Sequence, residues 1–151
     1  MTSPARLAAL ESRLNEPLPV HERVKLLNEM AEELYERDAT RGAALAREAI
    51  ELARATGDAL GEAQGLYCLG RNLHSQADYP GVFETQGDSL ALFRSLGHAD
   101  GEARCCNLLG ITYRQLADYG RALEMYDLAL KGFRDTGARK WQARVISNIG
   151  A

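Results

Sequence analysis

Gly57-Asp58-Ala59-Leu60-Gly61-Glu62-Ala63 returns as Gly97-His98-Ala99-Asp100-Gly101-Glu102-Ala103, and again, more altered, as Gly137-Ala138-Arg139-Lys140-Trp141-Gln142-Ala143. The period is 40 residues, and other positions keep its phase. Leu69-Gly70, Leu109-Gly110 and Ile149-Gly150 recur in step, as do Asp78-Tyr79 with Asp118-Tyr119 and Phe93-Arg94 with Phe133-Arg134. A fixed period of this size marks one supersecondary unit stacked along an axis, each unit unable to bury its apolar face alone.

The spacing inside a unit is helical. Ala63, Leu66, Leu69-Gly70 and Leu73 recur at threes and fours and stop at Gln76-Ala77-Asp78. A second stripe of Ala122, Met125-Tyr126, Ala129-Leu130 and Phe133 runs until Thr136-Gly137. Gly57, Gly97 and Gly137 suit left-handed helix ends, and Asp38, Asp78 and Asp118 suit caps of the helices that follow. No alternating, β-branched segment of strand length occurs, so the expected fold is all-α.

This reading predicts a leading helix over about 4–15, broken from the rest by Pro17-Leu18-Pro19. Helix pairs follow at about 20–36 with 38–56, 58–76 with 78–96, and 98–116 with 118–136, and a last helix starts near 138. As units, residues 1–19 form the leading helix and proline-containing linker and 20–56 the first pair. Residues 57–96 and 97–136 are the second and third repeats, and 137–151 the first helix of an incomplete fourth.

Composition narrows the function classes. At 151 residues, with 46% apolar and 26% charged side chains, the chain is one ordinary globular domain. A net charge of −3 with interspersed signs gives no electrostatic footprint for nucleic acid or an anionic membrane. No run approaches the 18 consecutive apolar residues of a membrane span. Met1-Thr2-Ser3-Pro4-Ala5-Arg6 lacks the basic and apolar regions of a secretory signal. Of the three cysteines, Cys105 and Cys106 are helix neighbours pointing about 100° apart, poor geometry for a mutual bridge. Reduced thiols and a cytoplasmic location are expected.

With these residues in view, the chain resembles the tetratricopeptide-repeat family in its longer-period variety, over roughly residues 20–151. Leu109-Gly110, Tyr113, Tyr119, Ala122, Tyr126 and Ala129 fill the family's pattern in the best-matching repeat. The resemblance implies an α-solenoid: a right-handed superhelix of antiparallel helix pairs, about seven helices in all. It also implies that Gly110 is the close-contact glycine, where a missing side chain lets the second helix approach. Two departures stand out. The first pair is alanine-rich and shorter in its turn, and the second places Gln86, Gly87, Asp88 and Ser89 where aromatic and alanine packing is expected. A mid-helix glycine costs about 1 kcal/mol against alanine, so helix 78–96 should be the soft element.

In that family the first helix of each pair lines a concave groove. Carried over, its positions are Lys25, Asn28, Glu32 and Tyr35, then Gln64, Tyr67, Arg71 and His74. Arg104, Asn107, Ile111 and Arg114 follow, with Arg144, Ser147 and Asn148 from the last helix. Arginines accumulate toward the carboxyl-terminal half, while Glu29, Glu32 and Glu36 make the other end acidic. A guanidinium fork suits carboxylates, and asparagine can bond an extended peptide's backbone. The Lys-Asn-Asn-Lys-Arg clamp that binds chaperone tails is not reproduced, so chaperone-tail binding is not expected.

Chemistry is sparse. His21, His74 and His98 do not pair with cysteine or histidine at metal-ligand spacing, and Glu32-Glu33, Glu36 and Asp38 read as a solvated face. Phosphate-binding loops, a nucleophile elbow and a His-Glu-x-x-His motif are missing. The expectation is a non-enzyme without cofactor or metal, binding a protein or peptide and neither nucleic acid nor membrane. The alternative is the amino-terminal sensory or regulatory segment of a longer bacterial signalling protein with a cyclase, histidine-kinase or transcriptional output. Finally, Ala143, Ile146 and Ile149 are expected to pack back on the preceding pair, leaving Val145 and Gly150 partly uncovered. An end of that kind predicts a homodimer through the uncapped last helix.

Overall fold

The computed structural model describes residues 4–150; Met1, Thr2, Ser3 and Ala151 lie outside the described residues. Among the described residues eight helices follow one another, one more than the solenoid count, because a leading helix docks on the array. They are α1 (Pro4–Leu14), α2 (Val20–Leu34), α3 (Ala39–Thr56), α4 (Ala59–Ser75), α5 (Tyr79–Ser95), α6 (Ala99–Gln115), α7 (Tyr119–Thr136) and α8 (Arg139–Gly150). Short turns make consecutive helices antiparallel neighbours.

The same turn is built again and again. Gly57, Gly97 and Gly137 are left-handed, with φ of 69°, 64° and 74°, and so are Ala77 and Ala117, with φ of 57° and 60°. After each, the next amide donates to the carbonyl five residues back: Asp58 to Ala53, Asp78 to Leu73, His98 to Phe93, Asp118 to Tyr113 and Ala138 to Phe133, each at 2.9 Å. This closes the helix by satisfying carbonyls that have no partner inside it. Asp38, Asp58, Asp78 and Asp118 then cap the following helix, accepting from the amide three residues on. At the start of α6 a histidine takes that role: His98 Nδ1 accepts from Gly101 N at 2.9 Å, so Nδ1 carries no proton. Leucine-and-alanine stripes pack between the turns, and Ala31, Ala46, Ala49, Ala53, Ala63 and Ala129 are fully buried. Such small residues let helices approach closely.

Each pair fills one contact in its own way. A Cβ on Gly110 would lie 2.6 Å from Tyr126 Cε1, so the expected close-contact glycine is one. A Cβ on Gly70 would collide with the Gln86 amide, and Gln86 stands 40 residues before Tyr126. In the first pair the bulk moves to the other helix: Met30 is fully buried where the later glycines stand, and Ala46 is fully buried at the Gln86 position. Gln86 and Ser89 therefore pack in the places where aromatic and alanine packing was expected. Gln86 Nε2 donates to Leu66 O at 3.1 Å and Ser89 Oγ to Ala63 O at 2.7 Å. Gly87 faces open space.

One expectation is reversed at α8. Val145 is completely buried, while Ile146 and Ile149 are 54% and 37% exposed and Ala143 is exposed. The helix turns Trp141, Val145 and Asn148 inward, because Phe133 stacks on the Trp141 ring at 5.2 Å and fixes its rotation. An uncovered face exists, but it carries the stripe expected to pack.

Candidate functional site

A cavity of about 360 Å³ lies against the first helices of the pairs. Its wall takes Tyr35 and Glu36 from the end of α2, Tyr67, Arg71, His74 and Ser75 from α4, Asn107, Leu108 and Ile111 from α6, and Trp141, Arg144 and Asn148 from α8. A second hollow of about 180 Å³ adjoins it through Tyr67 and holds Lys25, Asn28, Glu32, Gln64 and Arg104. Among the described residues, α3, α5 and α7 contribute to neither. Of the fifteen groove positions carried over from sequence, thirteen line one hollow or the other. Ser147 is exposed outside both, and Arg114 belongs to a separate hollow beside Tyr119 and Ile149.

The polar groups divide into tied and available. Asn28 is buried and donates to Gly61 O at 3.1 Å, which fastens α2 to α4. Arg114 donates to Asn148 O at 2.8 Å, and Asn148 in turn donates to Asn107 Oδ1 at 3.1 Å. Arg71 is the most committed: its side chain is only 13% exposed, it pairs with Glu32 at 3.0 Å, and its guanidinium lies 3.8 Å above the Tyr35 ring. Stacking on a half-buried ring of this kind contributes about 1 kcal/mol. Burial works to lower the Arg71 pKa, but Tyr67, Tyr35 and Glu32 outweigh it and the net shift is upward. Arg104 pairs with Asp100 at 3.3 Å.

Arg144 differs. It lies 4.9 Å over the Trp141 ring, it is exposed, and no carboxylate among the described residues pairs with it. It also acts across the cavity, favouring ionisation of the Tyr35 hydroxyl, although burial holds that pKa above its usual value. The helix that carries Arg144 thus faces the helix that carries Tyr35.

The remaining titratable groups describe a dry inner wall. Burial pushes the Tyr67 hydroxyl and Cys68 thiol far up, Cys105 to about 12 and Cys106 to about 11. These thiols are not nucleophiles at neutral pH. Burial, with Arg71 and Arg114 adding to it, lowers the His74 pKa, and His74 Nε2 is buried without a hydrogen-bond partner. The three cysteines are free, and the described residues contain no cluster suited to a metal ion. No described helix is long and apolar enough to cross a membrane.

Sequence reasoning missed Ser75, Leu108 and Trp141, and named Glu36 only for its charge. Trp141 left a signal: the single tryptophan of the chain stands where the two earlier units have Gly61 and Gly101. In the preceding unit Phe93 packs directly over Gly101, whereas Phe133 stacks on Trp141, whose ring reaches the cavity.

The chain has a tetratricopeptide-repeat-like fold, an all-α array of stacked helix pairs. Three solved structures share it. Aspartyl phosphate phosphatase F from Bacillus subtilis superposes with a TM-score of 0.82 at 14% identity, over 95% of this chain and 38% of its own. RapI in its apo form superposes with a TM-score of 0.74 at 19% identity, over 95% of this chain and 41% of its own. The TPR domain of Arabidopsis FLU gives 0.69 at 18% identity, over 78% of this chain and 99% of its own. The chain thus spans about two fifths of the first and of RapI, and at these identities the likeness concerns the fold. No family model matches the sequence. No curated protein matches it.

Proposed function

We infer that the chain is a non-catalytic binding module that holds a protein partner, as an extended peptide or a helix, along the face of α2, α4, α6 and α8. The observation that carries this reading is Arg144: a guanidinium on the rim of a 360 Å³ cavity, set on Trp141, with no carboxylate among the described residues paired with it. The other arginines of the face are held by Glu32, Asp100 and the Asn148 carbonyl. A partner's carboxylate would meet Arg144, and an apolar side chain beside it would lie against Tyr67, Leu108, Ile111 and Trp141. The cavity is near the lower end of the range for ligand sites, so it suits a short stretch of chain and not a large cofactor. The buried, raised thiols and the lone His74 supply no nucleophile–base pair, which supports a role without catalysis.

The test is selection of random seven-residue peptides displayed on phage against the whole chain. Selected sequences should carry an acidic residue next to an aromatic or aliphatic one, and Arg144→Glu should weaken them by about tenfold or more, the scale of one charged contact. Lys131→Glu, on the exposed side of α7, is the control. Peptides insensitive to Arg144→Glu would place binding elsewhere. A second reading, a regulatory segment of a longer bacterial signalling protein, is supported by the fold shared with aspartyl phosphate phosphatase F from Bacillus subtilis. Sequencing the natural reading frame past Ala151 separates the two.

A further inference from the structure

Gln64, Arg104 and Arg144 share one phase of the 40-residue period. Arg104 and Arg144 therefore hold the same place on α6 and α8, one lining each hollow of the groove. The Arg104 guanidinium lies 5.0 Å from the centre of the Trp141 ring and that of Arg144 4.9 Å, so the two stand within about 10 Å of each other. Phe133 stacks on the same ring at 5.2 Å and takes one of its faces. The two cations are gathered around what that leaves.

Opposing charge is scarce at this place. Arg104 meets Asp100 at 3.3 Å, and its Nε is buried without a hydrogen-bond partner. Asp100 is itself held by Thr136 Oγ1 at 3.3 Å. Arg114, also on α6, is engaged by the Asn148 carbonyl. Among the described residues, Asp100 is the one carboxylate that pairs with any of these three arginines. Helix α8 adds Arg139 and Lys140 and contains no acidic residue. Across the cavity, Glu32 is taken by Arg71 and Glu36 accepts from the Tyr35 hydroxyl.

We propose that this end of the groove binds a phosphorylated side chain of the peptide partner, with the phosphate bridging Arg104 and Arg144 beside Trp141. The proposal rests on the reading of the groove as a peptide site and names the group that the site selects. A carboxylate has two oxygens, which one guanidinium fork satisfies. A phosphate monoester carries a charge of about −1.5 to −2 at pH 7 and three strong acceptor oxygens, enough to engage two guanidinia. Trp141 gives both arginines an apolar platform, and a guanidinium stacked on a ring keeps its in-plane donors for the anion. The two kinds of ligand therefore differ in what they ask of Arg104. A carboxylate is met by Arg144 and needs Arg104 little, whereas a phosphate needs both.

The probes are labelled pools of seven-residue peptides, random except for a central phosphoserine, glutamate or serine, titrated into the whole chain by fluorescence anisotropy. The phosphoserine pool should bind at least about threefold more tightly than the glutamate pool. Arg104→Gln should erase that advantage while keeping the glutamate pool bound, which shows that the groove is intact. Arg144→Gln should weaken both pools. Asp100→Asn, which releases Arg104, should widen the advantage. Equal affinity for the phosphoserine and glutamate pools overturns the proposal, and so does an advantage that Arg104→Gln leaves in place. In either case, glutamate-pool binding that Arg144→Gln weakens would keep the peptide reading standing. No binding of any pool overturns both. Inorganic phosphate that displaces the phosphoserine pool at the pool's own concentration would make the free ion the ligand and overturn the proposal as well.

Discussion

The α4–α5 and α6–α7 pairs share one backbone plan and fill it with different chemistry. Over Gly70 lies the Gln86 amide, bonded to Leu66 O, with Ser89 bonded to Ala63 O; over Gly110 lies the Tyr126 ring, with Ala129 beside it. Both solutions bury their side chains completely. One holds its helices by side-chain donors reaching carbonyls, the other by shape and apolar area. The period therefore fixes the vacancy, and a planar side chain of either kind fills it, although Gln86 Oε1 and the Tyr126 hydroxyl are buried there without a hydrogen-bond partner.

The largest effect should separate the two glycines. Gly110→Ala drives a methyl into a buried aromatic ring and should destabilise by about 1–3 kcal/mol, the usual cost of overpacking. Gly70→Ala meets the far end of a flexible amide, so its cost should be smaller, near the roughly 1 kcal/mol of one lost hydrogen bond. Urea unfolding of both variants measures this, and equal costs would break the comparison. Gly87→Ala should act oppositely: the position is mid-helix and open, and helix propensity alone predicts about 1 kcal/mol of stabilisation. With Gly87, Asp88 and Ser89 in its middle, where α7 has its glycines nearer the two ends, α5 should exchange its amides faster than α7 in hydrogen-exchange mass spectrometry. Matching protection along both helices would contradict it.

A smaller effect concerns the histidines. His98→Asp restores the side chain that caps α3, α4, α5 and α7, and should raise stability by a few tenths of a kcal/mol, within the spread of caps. His74 should give a pH dependence. Its folded pKa lies below the unfolded value of about 6.5. The unfolded chain then binds the proton first, so this contribution to stability is complete above about pH 6.5 and falls as pH drops toward the folded pKa. Thermal unfolding from pH 7.5 downward should show a shallower acid loss in His74→Gln than in the native chain; identical slopes would assign the loss to other groups.

The sequence made the array legible because its punctuation is chemical. Gly57, Gly97 and Gly137 need left-handed backbone, and Asp38, Asp78 and Asp118 need orphan amides, so turn positions could be read before any packing. Ala77 and Ala117 were not legible as left-handed residues, since alanine carries a Cβ penalty there and nothing local signals that the closing hydrogen bond outweighs it. The thirteen groove positions that line the hollows followed from the family resemblance, carried onto this chain by helix phase. Phase could not show which were spent. Asn28 and Arg71 are engaged by Gly61 O and by Glu32 with Tyr35, partners 33, 39 and 36 positions away in sequence. The rotation of α8 failed for a related reason: Ile146 and Ile149 outrank Val145 in apolar area, yet Trp141 on Phe133 decides which side faces in.

The account rests most heavily on Arg144 as the arginine of the groove that no carboxylate among the described residues pairs with. Isothermal titration of a peptide selected on the whole chain, against the native protein, Arg144→Glu and Arg104→Glu, tests it directly. The account predicts a loss of more than about 1 kcal/mol for Arg144→Glu and a smaller loss for Arg104→Glu, whose guanidinium is already paired with Asp100. Equal affinity in native and Arg144→Glu proteins would contradict it.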